Sequence, residues 1–183
     1  MVIKRVSEKA ELSGIKDLQT ANLKSRLGKE EIEKEGFVTA EYSPELLARM
    51  NATEPHIIAK DGDLVVGYAL VATRSVIGGH PLLDDFFRQA DTLEYKGAAL
   101  CDVNYVVVGQ LCVAKAYRGM GLVKKMYDLF KDELAATYPY CMTDVDEMNP
   151  RSLKAHLSSG YEVISTLEYG GSKWYIVIRD WNA

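Results

Sequence analysis

Between Val106 and Lys125 the pattern of apolar and polar residues changes period, and the rest of the chain falls into place around that change. Val106, Val107, Val108, Leu111, Cys112 and Val113 put apolar side chains on both faces of an extended segment, as a strand covered on both sides requires. From Leu122 the apolar positions fall at Leu122, Met126, Leu129, Phe130 and Leu134, with Lys124, Lys125, Asp128, Lys131 and Asp132 off the stripe. That spacing predicts an amphipathic helix.

Upstream, Met1 to Val6 alternates as a short strand, and Ser7 offers a cap for a helix from Glu8 to Leu18. Leu23 to Ala48 is charged and weakly amphipathic, and predicts one or two helices broken near Gly36 and Pro44. His56 to Lys60 and Leu64 to Thr73 read as strands joined by Asp61-Gly62-Asp63, a hairpin signal, with Gly67 as a place for a bulge. The long stretch from Arg74 to Asp102 holds a helix opened by Pro81 and carrying Leu82, Leu83, Phe86, Phe87 and Ala90; His80 reads as a loop residue.

Downstream, Tyr140 to Val145 forms a strand, and Asn149-Pro150 is a strong helix start, because Asn caps and Pro gives up an amide that would be orphaned anyway. This helix stops near Ser159 at Gly160, and Tyr161 to Thr166 and Lys173 to Arg179 form a hairpin across Gly170-Gly171. The order is strand, helices, three strands, helix, strand, helix, two strands. It predicts a mixed α/β fold.

Composition narrows the function classes. With 183 residues, 48% of them hydrophobic, the chain is one domain, 1–183, with enough apolar content for a core. A net charge of -4 and a pI near 5.5 argue against nucleic acid as a partner. There is no apolar run long enough for a membrane span and no apolar core of a signal peptide after Met1, so a cytoplasmic location is expected. Cys101, Cys112 and Cys141 read as reduced thiols, and their spacing suggests no metal site.

The candidate chemistry lies in the turn Arg118-Gly119-Met120-Gly121. The first amides of a helix usually take a Ser, Thr, Asp or Asn cap, and none of these occurs between Ala114 and Lys125. Glycines keep Cβ atoms away, so bare amides and the positive end of the helix dipole can close on an anion such as a phosphate. Lys115, Arg118, Lys124 and Lys125 add positive charge. Neither G-x-G-x-x-G nor G-K-[ST] is present, and a plain tight connection is the alternative.

Arg118-Gly119-Met120-Gly121-Leu122-Val123 resembles the acyl-CoA pattern R/Q-x-x-G-x-G/A of the GNAT superfamily of N-acyltransferases, departing at Val123. The resemblance extends over most of the chain and is most specific from Val106 to Tyr161. It implies a GNAT-type fold, a central mixed, mostly antiparallel sheet of six to seven strands flanked by helices. It also implies a direct transfer of an acetyl group from acetyl-CoA to a primary amine of a small molecule or peptide. The amides from Gly119 to Lys124 would hold the diphosphate, and those of Leu111, Cys112 and Val113 would pair with pantetheine.

In the family, an Asn at the start of the following helix touches the pantetheine arm, and a Tyr seven residues on lies beside the sulfur. Here those places hold Asn149 and His156, with Ser152 between them. His156 would protonate the departing thiolate. Asp144 stands where some members carry a carboxylate base, with Asp146 or Glu147 acting through water as alternatives. Cys112 as a covalent acyl acceptor is a further idea, set against its role as a small apolar filler. The partners implied are acetyl-CoA and an amine; no metal is implied, and a homodimer is one arrangement the sequence allows. The competing class is an acyl-CoA sensor with little turnover, suggested by His156 and Val123. The acceptor pocket is expected from Leu23 to Ala48, Arg74 to Asp102 and the final hairpin.

Overall fold

A computed structural model describes residues 1–182; Ala183, the last residue of the domain expected from the sequence, lies outside the described residues. Strand β1 (Val2–Arg5) is followed by helices α1 (Lys9–Ala21), α2 (Lys29–Glu35) and α3 (Pro44–Thr53). The hairpin β2 (Ile57–Asp61) and β3 (Leu64–Ala72) turns at Gly62 with φ +57°. Helix α4 (Pro81–Ala90) and a small hairpin, β4 (Glu94–Tyr95) with β5 (Ala98–Ala99), fill the long stretch before β6 (Tyr105–Val113). Then come α5 (Leu122–Leu134), β7 (Tyr140–Asp146), α6 (Pro150–Leu157), β8 (Glu162–Tyr169) and β9 (Ser172–Asp180).

Seven strands form one sheet in the order β1-β2-β3-β6-β7-β9-β8, parallel only at β6–β7. This is the mixed, mostly antiparallel sheet that the GNAT resemblance implies. Side chains alternate between two cores. Ile58, Tyr105 and Val107 face α1, α3 and α4, whereas Ile57, Val106 and Val108 face α5 with its buried stripe Leu122, Met126, Phe130 and Leu134.

Local chemistry explains where the sequence reading shifts. Ser7 is not the cap of α1: Glu8 takes the cap position, and the Glu11 carboxylate accepts from the amides of both Ser7 and Glu8. A Glu three residues into a helix can do this, whereas the Ser7 hydroxyl is engaged by Lys4. The bulge near Gly67 falls on its neighbour Val66, where the β2–β3 register shifts. His80 is the cap of α4, its Nδ1 accepting from the Leu82 amide at 3.2 Å.

One register shift matters more. Leu70 pairs with Gln110 but Val71 pairs with Val108, so Gly109 is an extra residue in β6. A bulge bends its strand and adds twist. A side chain at Gly109 would meet Ala72 Cβ and Met50 Cε, each at 3.3 Å, so glycine lets the bend pack against β3 and α3. Beyond the bend β6 leaves β7: the two pair only from Tyr105–Tyr140 to Val107–Met142, although both strands continue.

Glu11, at 2% exposure, ties β1, α1 and β2 together through Lys4 at 2.7 Å and Lys60 at 3.2 Å. Burial alone would raise its pKa, but Lys4, the Ser7 amide, Lys60 and the Glu8 amide together hold it at about 2, below the usual 4.5. The carboxylate therefore contributes stability on the order of 3 kcal/mol that is complete above pH 4.5 and is lost as pH falls toward 2. Glu11→Gln is expected to lower the urea midpoint at pH 7 and to flatten the fall in stability between pH 4.5 and 2. An acid limb as steep as the parent's would show that this carboxylate is not responsible.

Candidate active site

The divergence of β6 and β7 opens a cleft of about 330 Å³ between Leu111–Val113, the turn before α5 and the start of α6. Beyond Val107 the edge of β6 that faces β7 has no ladder bonds to it. Two carbonyls near the bend are capped by side chains, Val108 O by the Thr143 hydroxyl at 2.7 Å and Gly109 O by the Tyr42 hydroxyl at 2.9 Å. The cleft is thus a strand-like gap in the sheet, suited to an extended ligand with its own amide groups.

At the end of the cleft, Gly121 occupies the N-cap position of α5 with φ +73° and no side chain caps the helix. Gly119 also has positive φ, +79°, and the space beside both glycines is open. The first-turn amides of Leu122, Val123 and Lys124 therefore lie at the positive end of a thirteen-residue helix without a protein side chain in their place. Met120, 51% exposed, points outward.

Arg118 is used differently. Its guanidinium donates to Val113 O at 3.0 Å, Glu35 O at 3.1 Å, Glu35 Oε2 at 2.8 Å and Asn22 Oδ1 at 2.8 Å. It fastens the end of β6 to the end of α2. Lys115 and Lys124 are also engaged, with Glu31 and Asp128 respectively.

Residues 36–40 cross the cleft as a strap. Asn149 Nδ2 donates to Phe37 O at 2.9 Å, Gln110 Nε2 donates to Ala40 O at 2.8 Å, and Val38 bonds through both backbone groups to Asn22 and Lys24. Asn149 also caps α6 through the Ser152 amide at 3.2 Å. A side chain on Gly36, whose φ is +77°, would come within 3.0 Å of Asn149 Oδ1.

Behind the strap, a chamber of about 60 Å³ shares Phe37, Val38, Leu111, Asn149 and Ser152 with the cleft. Asp144 and His156 line it. Asp144 Oδ2 is out of solvent with no partner, and burial pushes this carboxyl up to about 7, with the nearby Asp146 adding to the rise. His156 is 3% exposed, and burial lowers its pKa to about 4 against the effect of the Ser152 carbonyl. That carbonyl is 2.8 Å from Nδ1, which must therefore be the protonated nitrogen. At neutral pH, Nε2 carries a lone pair and has no partner. The proton donor expected at this position is thus presented as an acceptor, because desolvation opposes the second proton that donation to sulfur would require.

Cys112 lies on the cleft wall, and burial pushes its thiol up to about 12, which removes the thiolate needed for covalent acyl transfer at neutral pH. Asp146 is tied to Lys24 at 3.1 Å and to the Met148 amide at 2.9 Å, while Glu147 is exposed. Of the three carboxylates considered from sequence, Asp144 alone has an unpartnered buried oxygen.

The sequence profile of the acetyltransferase (GNAT) family matches residues 25–161. The chain belongs to the GNAT family. It is therefore an acyltransferase of the class that uses acetyl-CoA, as its glycine turn and seven-strand sheet had suggested. No curated protein sequence matches it. Solved GNAT-type structures share its fold at low identity. Ard1 from Thermoplasma volcanium is 14% identical, with TM-score 0.67, covering 98% of this chain and 96% of that one. The protein yncA from Salmonella typhimurium, described with its cofactor acetyl-CoA, is 16% identical, with TM-score 0.63 and coverage of 98% and 93%. A ribosomal-protein-alanine N-acetyltransferase from Brucella melitensis is 15% identical, with TM-score 0.60 and coverage of 98% and 99%.

Within this GNAT domain, Leu111, Cys112, Val113, Arg118, Gly119, Gly121, Leu122, Val123, Asn149 and Ser152 all border the cleft. Lys124 and Met120 do not line it by their side chains. Phe37–Ala40, Leu82 and Trp174, which also surround the chamber, come from the three segments where the acceptor pocket is expected, whereas Gln110 on the same wall lies outside them. The sequence signal beside Gln110 is Gly109 inside a strand. Among the described residues, no helix is long and apolar enough to cross a membrane, and no cluster of three or more His, Cys, Asp or Glu residues is placed to hold a metal ion.

Proposed function

We propose that the protein is an N-acetyltransferase that moves the acetyl group of acetyl-CoA onto a primary amine by direct attack. The observation that carries this reading is the continuity of three features: an uncapped helix N-terminus, a gap between β6 and β7, and a chamber at the gap's inner end holding an unpartnered carboxylate. Diphosphate, pantetheine arm and amine acceptor fit these in turn. The co-substrate supplies a thioester whose acyl carbon accepts a nucleophile.

The residues of the chain divide the remaining work. Amides of Leu122 to Lys124 hold the diphosphate, and the open edge of β6 at Leu111–Val113 receives pantetheine. Asp144 takes a proton from the incoming ammonium, leaving the neutral amine whose lone pair forms the N–C bond as the C–S bond breaks. The amine's next proton is released as the amide forms, and the thiolate takes one up. The balance is one ammonium and one acetyl thioester giving one amide, one thiol and one free proton. The segments that wall the chamber, Phe37–Ala40, Leu82 and Trp174, are assigned to the acceptor side.

The sensor reading draws on His156, whose Nε2 has no proton to give. A thiol-release assay with a mixed panel of amines separates the two. Release well above hydrolysis with at least one amine is expected. Tight CoA binding with no release for any amine would make the protein a sensor.

A further inference from the structure

We propose that the chamber behind the strap receives the unbranched, protonated end of an alkyl amine, –CH2–NH3+, with Asp144 and His156 as its paired acceptors and Leu82 as the wall that refuses a branch at the first carbon. This deepens the acetyl-transfer reading and rests on it for the identity of the acceptor side.

The charge of the ligand follows from the hydrogen bonds already made. The side-chain amide and indole nitrogens that line the chamber each already donate to a backbone carbonyl: Gln110 to Ala40, Asn149 to Phe37 and Trp174 to Tyr169. The Thr143 hydroxyl donates to Val108 O. Gln110 Oε1 is doubly engaged, by Gln19 at 2.9 Å and Tyr68 at 2.6 Å, and both oxygens of Asp146 are bonded. The two buried atoms left without partners on this wall are His156 Nε2, an acceptor, and Asp144 Oδ2, an acceptor once its carboxyl is ionised. The hydroxyls of Thr39 and Ser152 can serve either way. An ammonium brings three donors and no acceptor, so it satisfies what the chamber leaves open. A carboxylate or phosphate would meet two more acceptors and the charge of Asp146.

The shape follows from the volume. By the same measure the chamber, at about 60 Å³, has less than a fifth of the room of the cleft, at about 330 Å³, and so suits a narrow end group better than a branched one. A methyl on the first carbon would crowd its walls. Leu82, Trp174 and Phe37 are 5%, 6% and 8% exposed, and Leu82 belongs to the first turn of α4, whose apolar face is buried in the core. Close packing of this kind resists an added methyl, and one such group in a shaped pocket changes selectivity by roughly 10–200-fold.

The test pairs two isomers of similar basicity, n-butylamine and sec-butylamine, and adds butyrate. With acetyl-CoA, kcat/KM for n-butylamine is expected to exceed that for sec-butylamine by at least about tenfold. Leu82→Ala, or Leu82→Val if the first variant folds poorly, should narrow the ratio by speeding the branched isomer. In calorimetry on the complex with CoA, n-butylammonium should bind, sec-butylammonium more weakly, and butyrate not at all, and Asp144→Asn should remove the binding of n-butylammonium. Equal kinetics for the two isomers would overturn the proposal while leaving acetyl transfer intact. Binding of n-butylammonium without turnover would do the reverse. Binding of butyrate as strong as that of n-butylammonium, or of none of the three compounds, would also overturn it.

Discussion

Asp144→Asn is expected to lower kcat by about 10²–10⁴-fold, the usual contribution of a positioned proton acceptor, while CoA affinity stays at the parent value. The separation is geometric: Asp144 lines the chamber and not the cleft that holds the diphosphate turn. Its pH profile gives a sharper signature. Burial, with Asp146 nearby, sets the carboxyl at about 7, and it works only when ionised, so kcat/KM of the parent should rise with pH through about 7 and then level off. The asparagine variant should lack that rise. A variant retaining both the rate and the inflection would remove Asp144 from the reaction and leave its orphaned oxygen without a use.

Gly121→Asp is expected to weaken CoA binding by roughly 10²–10⁴-fold, with the fold retained. Hydrogen bonds to a charged group contribute about 1.5–3 kcal/mol each, so losing two costs about 3–6 kcal/mol. The new carboxylate would stand in open space beside the turn, bringing bulk and negative charge to the amides that a diphosphate needs. The backbone at φ +73° makes any side chain costly there, by about 1–2 kcal/mol, and Asp is among the residues that tolerate this region best. Calorimetry with CoA beside a denaturation curve separates the two effects. A dissociation constant within a few-fold of the parent in a folded variant would mean that the turn is only a tight connection.

The parts of this architecture that depend on local pattern were readable in advance, and those that depend on distant contacts were not. The β6–α5 unit is visible because its period changes inside a short span and because the missing cap residue is itself a signal. Asn149-Pro150 and Gly160 delimit α6 by backbone chemistry alone. The strap is different. Its position depends on Asn149 reaching Phe37 and Gln110 reaching Ala40, across 112 and 70 residues of sequence, which no local rule contains. Arg118 carries the family signature, yet the sequence does not say that its charge is consumed by Glu35 and Asn22. His156 shows the same limit: its reference pKa suggests a proton donor, but the Ser152 carbonyl and complete burial reverse its polarity.

The bend at Gly109 has a mechanical consequence. Four strands, β1-β2-β3-β6, and three strands, β7-β9-β8, are laddered together through three residue pairs, so the sheet is two blades joined along a short seam. Whatever lies along the gap from Leu111 to Asn149 touches both blades and braces them. A ligand seated there would take up the edge that β6 leaves unpaired beyond Val107 and close the sheet across its parallel junction.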